Sequence, residues 1–189
     1  MPAPGGLSAA EAERRFARAV ALHQGGDHAG ADKALHPLAR AFPDHPDVCH
    51  LLGVVRLALK RPTDAIAPLR AALALAERTR PDILPGVCTA LGSALRGAGR
   101  LDDAVDAFRR AAALSPGNAD VHFNLGNVLG DLRRRPEAAA AYAAARRLAP
   151  GDADIAFALG ETLVHCGDHD GALAAYRATV ALDPAHARA

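Results

Sequence analysis

Leu125-Gly126-Asn127-Val128-Leu129, followed by Ala138, Tyr142 and Ala145 and closed by Pro150, is the stretch that decides the fold. Shifted forward by 34 residues it reads Leu159-Gly160, Leu163, Ala172, Tyr176, Thr179 and Pro184. Shifted back by 34 it reads Leu91-Gly92, Leu95, Ala104, Phe108, Ala111 and Pro116. A fourth copy carries Cys49, Leu52-Gly53, Ala65, Leu69 and Ala72, with Glu77 where the others have Pro. The fifth and loosest carries Ala19, Leu22, Ala31, Leu35, Leu38 and Pro43. A fixed period of this length, filled with apolar residues at helical spacing, means a stack of helix pairs. Each pair buries its apolar face only against its neighbours.

Local signals agree. Val48, Leu51, Leu52, Val55 and Leu59 recur at the spacing of one helix face. Gly25-Gly26, Gly99 and Gly167 mark breaks between the two helices of a unit. Pro62 and Pro136 open second helices, where a missing N–H does no harm. Pro43, Pro116, Pro150 and Pro184 stop them. Asp120, Asp152 and Asp154 stand at helix starts, toward the positive end of the dipole. The pattern predicts helices near 8–24, 28–41, 46–59, 62–77, 82–97, 101–114, 119–132, 136–148, 153–166 and 170–182. The recurring Gly and Ala positions let paired helices approach closely.

The second and third copies are out of step by five residues, assigned to 80–84. Pro81 and Pro85 bracket this segment, and the expectation is an extra turn at the front of the following helix. Ile83 and Leu84 are then available for contacts that the other copies lack.

Composition narrows the function. The 189 residues are 50% hydrophobic but only 4% aromatic, without Trp, which suits thin, closely packed helices. A net charge of +1 gives no global pull toward nucleic acid or anionic membrane. No apolar run approaches the roughly 20 residues of a membrane-spanning helix. Residues 1–7 lack the basic start and apolar stretch of a signal peptide and are expected to be a flexible lead-in. The three cysteines are odd in number; Cys49 and Cys88, at matching helix positions, read as reduced, buried thiols of a cytoplasmic protein, with a disulfide between them as the alternative.

The copies resemble the tetratricopeptide repeat (TPR), whose pattern W-x2-L-G-x2-Y…A-x3-F…P maps from about Ala12 to Ala185. Two features depart from it. Its first large residue is replaced by Cys49, Cys88, His122 and Ala156, and the first copy puts Arg15 and Arg18 where large or apolar residues are usual. The resemblance implies an all-α, right-handed α-solenoid of five helix-turn-helix units, at about 12–45, 46–79, 85–118, 119–152 and 153–186. Residues 8–189 would form a single array. It further implies protein–protein interaction, with the first helix of each unit lining a concave groove. On that face the resemblance places Phe16, His50, Thr89, Ser93, Arg96, Phe123, Asn124, Asn127, Phe157 and Glu161. The phenylalanines are either partner anchors or packing between neighbouring helices.

Chemistry-bearing motifs are absent. Lys33 and Lys60 are the only lysines and neither falls on the groove, which argues against a clamp for a chaperone-tail carboxylate. His165-Cys166-Gly167-Asp168-His169 holds metal-capable side chains, but Gly167 interrupts the helix and no second cluster completes a site. Arg133-Arg134-Arg135 reads as a solvated turn, and Ser93 lies inside a helix with no partnered His and acid. No cofactor motif occurs. The expected function is a non-catalytic adaptor or scaffold that binds a partner protein segment. The alternatives are the substrate-recruiting N-terminal region of a larger enzyme, such as the glycosyltransferases or sulfotransferases that similar bacterial arrays precede, and self-association through residues 170–182. The last helix carries Leu173, Tyr176, Val180 and Leu182, and nothing after it resembles a polar cap.

Overall fold

Apolar residues at helical spacing, interrupted at fixed intervals by helix-stopping signals, produce ten α-helices in the computed structural model, which describes residues 8–185. They are α1 Ala9–Gln24, α2 His28–Ala41, α3 Pro46–Ala58, α4 Pro62–Thr79, α5 Leu84–Gly97, α6 Leu101–Leu114, α7 Ala119–Asp131, α8 Arg135–Leu148, α9 Ala153–Cys166 and α10 His169–Leu182. A single 3-10 turn, Pro81–Ile83, precedes α5. The expected lead-in, residues 1–7, lies outside the described residues. Two compact units divide the chain between Arg100 and Leu101, the first holding α1–α5 and the second α6–α10. Within the first unit α1 pairs with α2 and α3 with α4, and α2 with α3 and α4 with α5 join them; the second unit pairs α7 with α8 and α9 with α10, joined through α6 with α7 and α8 with α9.

Small residues set the close approach. Ala31, Ala65, Ala104 and Ala138 have no exposed surface and Ala172 is 3% exposed. In three of the hairpins a Gly of the first helix faces a large residue of the second. A Cβ on Gly53 would fall 2.3 Å from Leu69 Cγ, one on Gly126 2.6 Å from a Tyr142 ring carbon, and one on Gly160 2.8 Å from Tyr176. In the first unit the core runs from Ala19 through Leu35 and Leu38 to Val48, Leu52 and Val55. A second cluster joins Cys49, Ala72 and Val87. Cys49 and Cys88 are buried, as expected, whereas Cys166 is exposed. It is the last residue of α9, just before the turn, where no helix covers it.

The turn inside each hairpin needs one residue in the left-handed region. Gly26, Gly99 and Gly167 supply it with φ of 83°, 75° and 79°. In the other two hairpins Lys60 and Arg133 occupy the same place with φ of 59° and 61°. A side chain there costs about 1–2 kcal/mol, only partly offset by the greater freedom a glycine gives the unfolded chain. Lys60→Gly and Arg133→Gly are therefore each expected to stabilise the chain by about 0.5–1 kcal/mol, read as a rise in the urea midpoint at unchanged slope.

Helix starts are capped by side chains at Ser8, Asp27, Asn118, Asp152 and Asp168, each accepting from a backbone N–H of the first turn. At the opposite ends, Pro carbonyls recur as acceptors. The Cys49 thiol lies 3.4 Å from the Pro43 carbonyl and the His122 Nε2 lies 3.1 Å from that of Pro116. Ala156, in the corresponding place, has no donor, and the Pro150 carbonyl accepts from Arg146 instead. The residues that replace the large aromatic of the pattern thus anchor some first helices to the preceding turn.

Four of the five extra residues lengthen α4, ahead of the segment to which the sequence reading assigns them. α4 has 18 residues, against 14 in α2, α6 and α8, so an added turn lies at its end, and the 3-10 turn Pro81–Ile83 runs directly into the front of α5, where the sequence reading expects one. Pro81 follows the end of α4 as Pro43 follows α2, and the link to α5 keeps its ordinary length. Ala76 of the added turn is fully buried, and Leu73, Leu75 and Ile83 pack on the Cys49–Val87 cluster. Arg80 ties the junction down, with Asp47 and Asp82 each 2.8 Å away.

On the last helix Leu173, Val180 and Leu182 are 48%, 45% and 41% exposed, the face on which the sequence reading places self-association.

Candidate partner-binding site

In the first unit, Phe16 of α1 stands half-buried beside the segment that joins α2 to α3. Its ring centroid is 6.4 Å from that of His45. The two residues border an open cavity of about 380 Å³ whose walls are Phe16, Leu38, Phe42 and Val48, with Glu13 and His45 among the polar lining. Among the described residues, no side chain fills it. His45 lies 3.7 Å from the Asp47 carboxylate, which Arg80 also holds.

His50 sits further along α3, half-buried, with its ring against Gly86 at the start of α5. On α5 the two hydroxyls turn back onto their own helix: Thr89 donates to the Pro85 carbonyl at 2.8 Å and Ser93 to the Thr89 carbonyl at 3.1 Å. Their protons are therefore committed locally. Arg96 is half-buried in the last turn of that helix.

The second unit repeats one arrangement twice. Phe123 of α7 packs at a tilt on Tyr142 of α8, centroids 5.6 Å apart, and Phe157 of α9 packs on Tyr176 of α10 at 5.9 Å. One turn beyond each Phe stands a polar residue that addresses the same tyrosine. Tyr142, 6% exposed, donates from its hydroxyl to Asn127 Oδ1 at 2.7 Å. Glu161 stands in the corresponding place by Tyr176; burial first, and the Glu161 charge second, push that phenol above its ordinary value. Asn124 is half-buried and has no hydrogen-bond partner among the described residues, and Glu161 is exposed.

The sequence reading names Phe16 among its groove residues but neither Phe42 nor His45, which line the same cavity from the connection between units of the repeat rather than from its first helices. It also missed the tyrosine partners of Phe123 and Phe157, although the Tyr positions themselves repeat with the same period.

A family model described as tetratricopeptide repeat matches residues 16–79 and 123–187, and one described as TPR repeat matches residues 92–132. The chain belongs to the tetratricopeptide-repeat family. Solved TPR structures share its fold. A crystal structure of MamA protein is 24% identical over 94% of each chain, with a TM-score of 0.81. MamA from Desulfovibrio magneticus RS-1 is 19% identical, covering 92% of this chain and 96% of that one, with a TM-score of 0.82. YrrB, described as a TPR protein with an unusual peptide-binding site, is 19% identical over 91% of this chain and 86% of its own, with a TM-score of 0.77. Among curated proteins, no sequence matches significantly.

Among the described residues of this TPR chain, no three His, Cys, Asp or Glu side chains gather as a metal site, and no helix is long and apolar enough to cross a membrane. The packing also shifts the titration of His50. Burial lowers its imidazole below the ordinary 6.5, while Asp47 and the Gly86 backbone pull the other way. The fold therefore favours neutral His50. Its contribution is complete above the unfolded value and is lost as pH falls below it toward the depressed folded value. Thermal midpoints measured between pH 7 and pH 5 should fall on acidification, and His50→Leu should flatten part of that fall.

Proposed function

We propose that this TPR chain is a non-catalytic interaction module that holds an extended or helical segment of a partner protein against the first helices of its units. The observation that carries the reading is the apolar cavity beside Phe16, about 380 Å³ in volume and filled by no side chain among the described residues. Such a space, walled by aromatic and aliphatic groups with a few polar atoms at its edge, suits a large apolar anchor residue of a bound segment. In the second unit, taken by itself, Asn124 and Glu161 would offer polar contacts to the backbone of a bound segment. The peptide-binding site ascribed to YrrB, on the same fold, supports this reading.

Selection of a displayed random-peptide library on the purified chain tests it. Recovered peptides should share a large apolar residue, and Phe16→Ala should weaken the best of them by about tenfold or more, the loss of a central anchor. The urea midpoint of the variant, measured in parallel, separates lost binding from lost folding. If no peptide is recovered, or affinity is unchanged in folded Phe16→Ala, the reading fails.

A further inference from the structure

The turn between α1 and α2 brings two imidazoles together at a point that the partner-binding reading does not use. His23 lies in the last turn of α1 and His28 is the first residue of α2. Their Nδ1 atoms are 3.1 Å apart, and the ring centroids 4.9 Å. Gly25 and Gly26 make the turn that allows it: the Gly26 N–H donates to the His23 carbonyl and the His28 N–H to the Gly26 carbonyl. Neither ring has another hydrogen-bond partner among the described residues. Both rings remain half-buried, so the approach between them stays open to water.

We propose that His23 and His28 chelate one divalent cation of the zinc, nickel and copper class through their paired Nδ1 atoms. An ion about 2.0–2.1 Å from each nitrogen would subtend an angle of about 98° across the 3.1 Å separation. That lies between the right angle of octahedral or square-planar neighbours and the tetrahedral angle, so the spacing suits a shared ion once each ring turns its Nδ1 off the N–N line toward it. Imidazole nitrogen is the donor this class of cation prefers, whereas magnesium and calcium require oxygen. Water completes the coordination, because no third His, Cys, Asp or Glu among the described residues gathers with the pair. In the empty pair one ring carries its proton on Nδ1, shared toward the other. On binding, that proton leaves Nδ1 and Nε2 of the same ring takes one up through water; both rings stay neutral and no net proton is released. The ion would link the end of α1 to the start of α2 and so close the turn of the first hairpin.

Calorimetric titration of the full chain carrying Cys166→Ser with zinc chloride, in a non-chelating buffer at neutral pH, tests the site. The expected result is one zinc per chain. The affinity should drop at least about tenfold, the scale of losing a fixed ligand contact, in His23→Ala and equally in His28→Ala. It should be unchanged in His165→Ala with His169→Ala, the histidines flanking the other turn. In proton NMR the Cε1–H signals of both His23 and His28 should shift together on addition of zinc. His28→Asn serves in place of His28→Ala if the latter loses helical signal. No uptake at millimolar zinc, uptake unaltered by either substitution, or loss in only one of the two variants would overturn the chelate.

Discussion

Gly53→Val is expected to lower the stability of the first unit by about 3 kcal/mol, the upper range for overpacking a tight site. Glycine in mid-helix is ordinarily a weak choice, and replacing it should gain up to about 1 kcal/mol in helix propensity. Geometry reverses the sign. A Cβ at this point falls 2.3 Å from Leu69 Cγ and 2.6 Å from its Cδ2. Leu69 has no exposed surface into which to retreat. Either its rotamer breaks or α3 separates from α4, and separation uncovers the core that begins at Leu52 and Val55. The mechanism has its own check. Leu69→Ala alone should cost about 2–5 kcal/mol by leaving a cavity. The Gly53→Ala, Leu69→Ala double variant should be less damaged than the sum of its parts by about 1 kcal/mol or more, because the new methyl occupies part of the space vacated. Strict additivity in urea unfolding would mean that the glycine is retained for another reason. The same substitution at Gly160 should be milder, since Tyr176 is less buried than Leu69 and can swing outward.

These packing positions were legible because a period of 34 residues lets each copy correct the others. Helix limits, buried alanines and the Gly-to-large pairing all repeat, so one ambiguous copy cannot mislead. Where a feature does not repeat, the reading loses its reference. The five extra residues occur once, and Pro81 and Pro85 drew them into the link. The constant interval between a helix end and the Pro that follows it, kept at Pro43, Pro116 and Pro150, assigns four of them to α4. Lys60 and Arg133 carry no compositional sign of a left-handed backbone; only their alignment with Gly26, Gly99 and Gly167 reveals it. The cavity beside Phe16 depends on Phe42 and His45, which stand outside the helices that carry the pattern. The His23–His28 contact depends on how tightly one turn closes, and no spacing rule states that.

The rings at Phe123 and Phe157 decide whether the candidate face of the second unit binds through aromatics or through polar groups. The sequence reading expects Phe123→Ala with Phe157→Ala to weaken partner binding without loss of helical signal. Their tilted packing on Tyr142 and Tyr176 points to a different result. Full burial would make each truncation cost about 3–5 kcal/mol. Half-burial reduces this, while the lost ring pair adds about 0.5–1.5 kcal/mol, so about 2 kcal/mol per site is expected. The double variant should therefore show a markedly lower urea midpoint, with the helical signal at low denaturant largely kept. Any binding loss it shows is then confounded with weakened packing. Asn124→Ala and Glu161→Ala avoid that confusion, because neither side chain accepts or donates a hydrogen bond within the described structure, and their midpoints should not move. If those two weaken a selected peptide while the phenylalanine pair acts only through stability, the rings are the floor of the face and the polar groups its contacts. If the phenylalanine pair leaves the midpoint unchanged, the rings are held by nothing within the chain, and their role as partner anchors is restored.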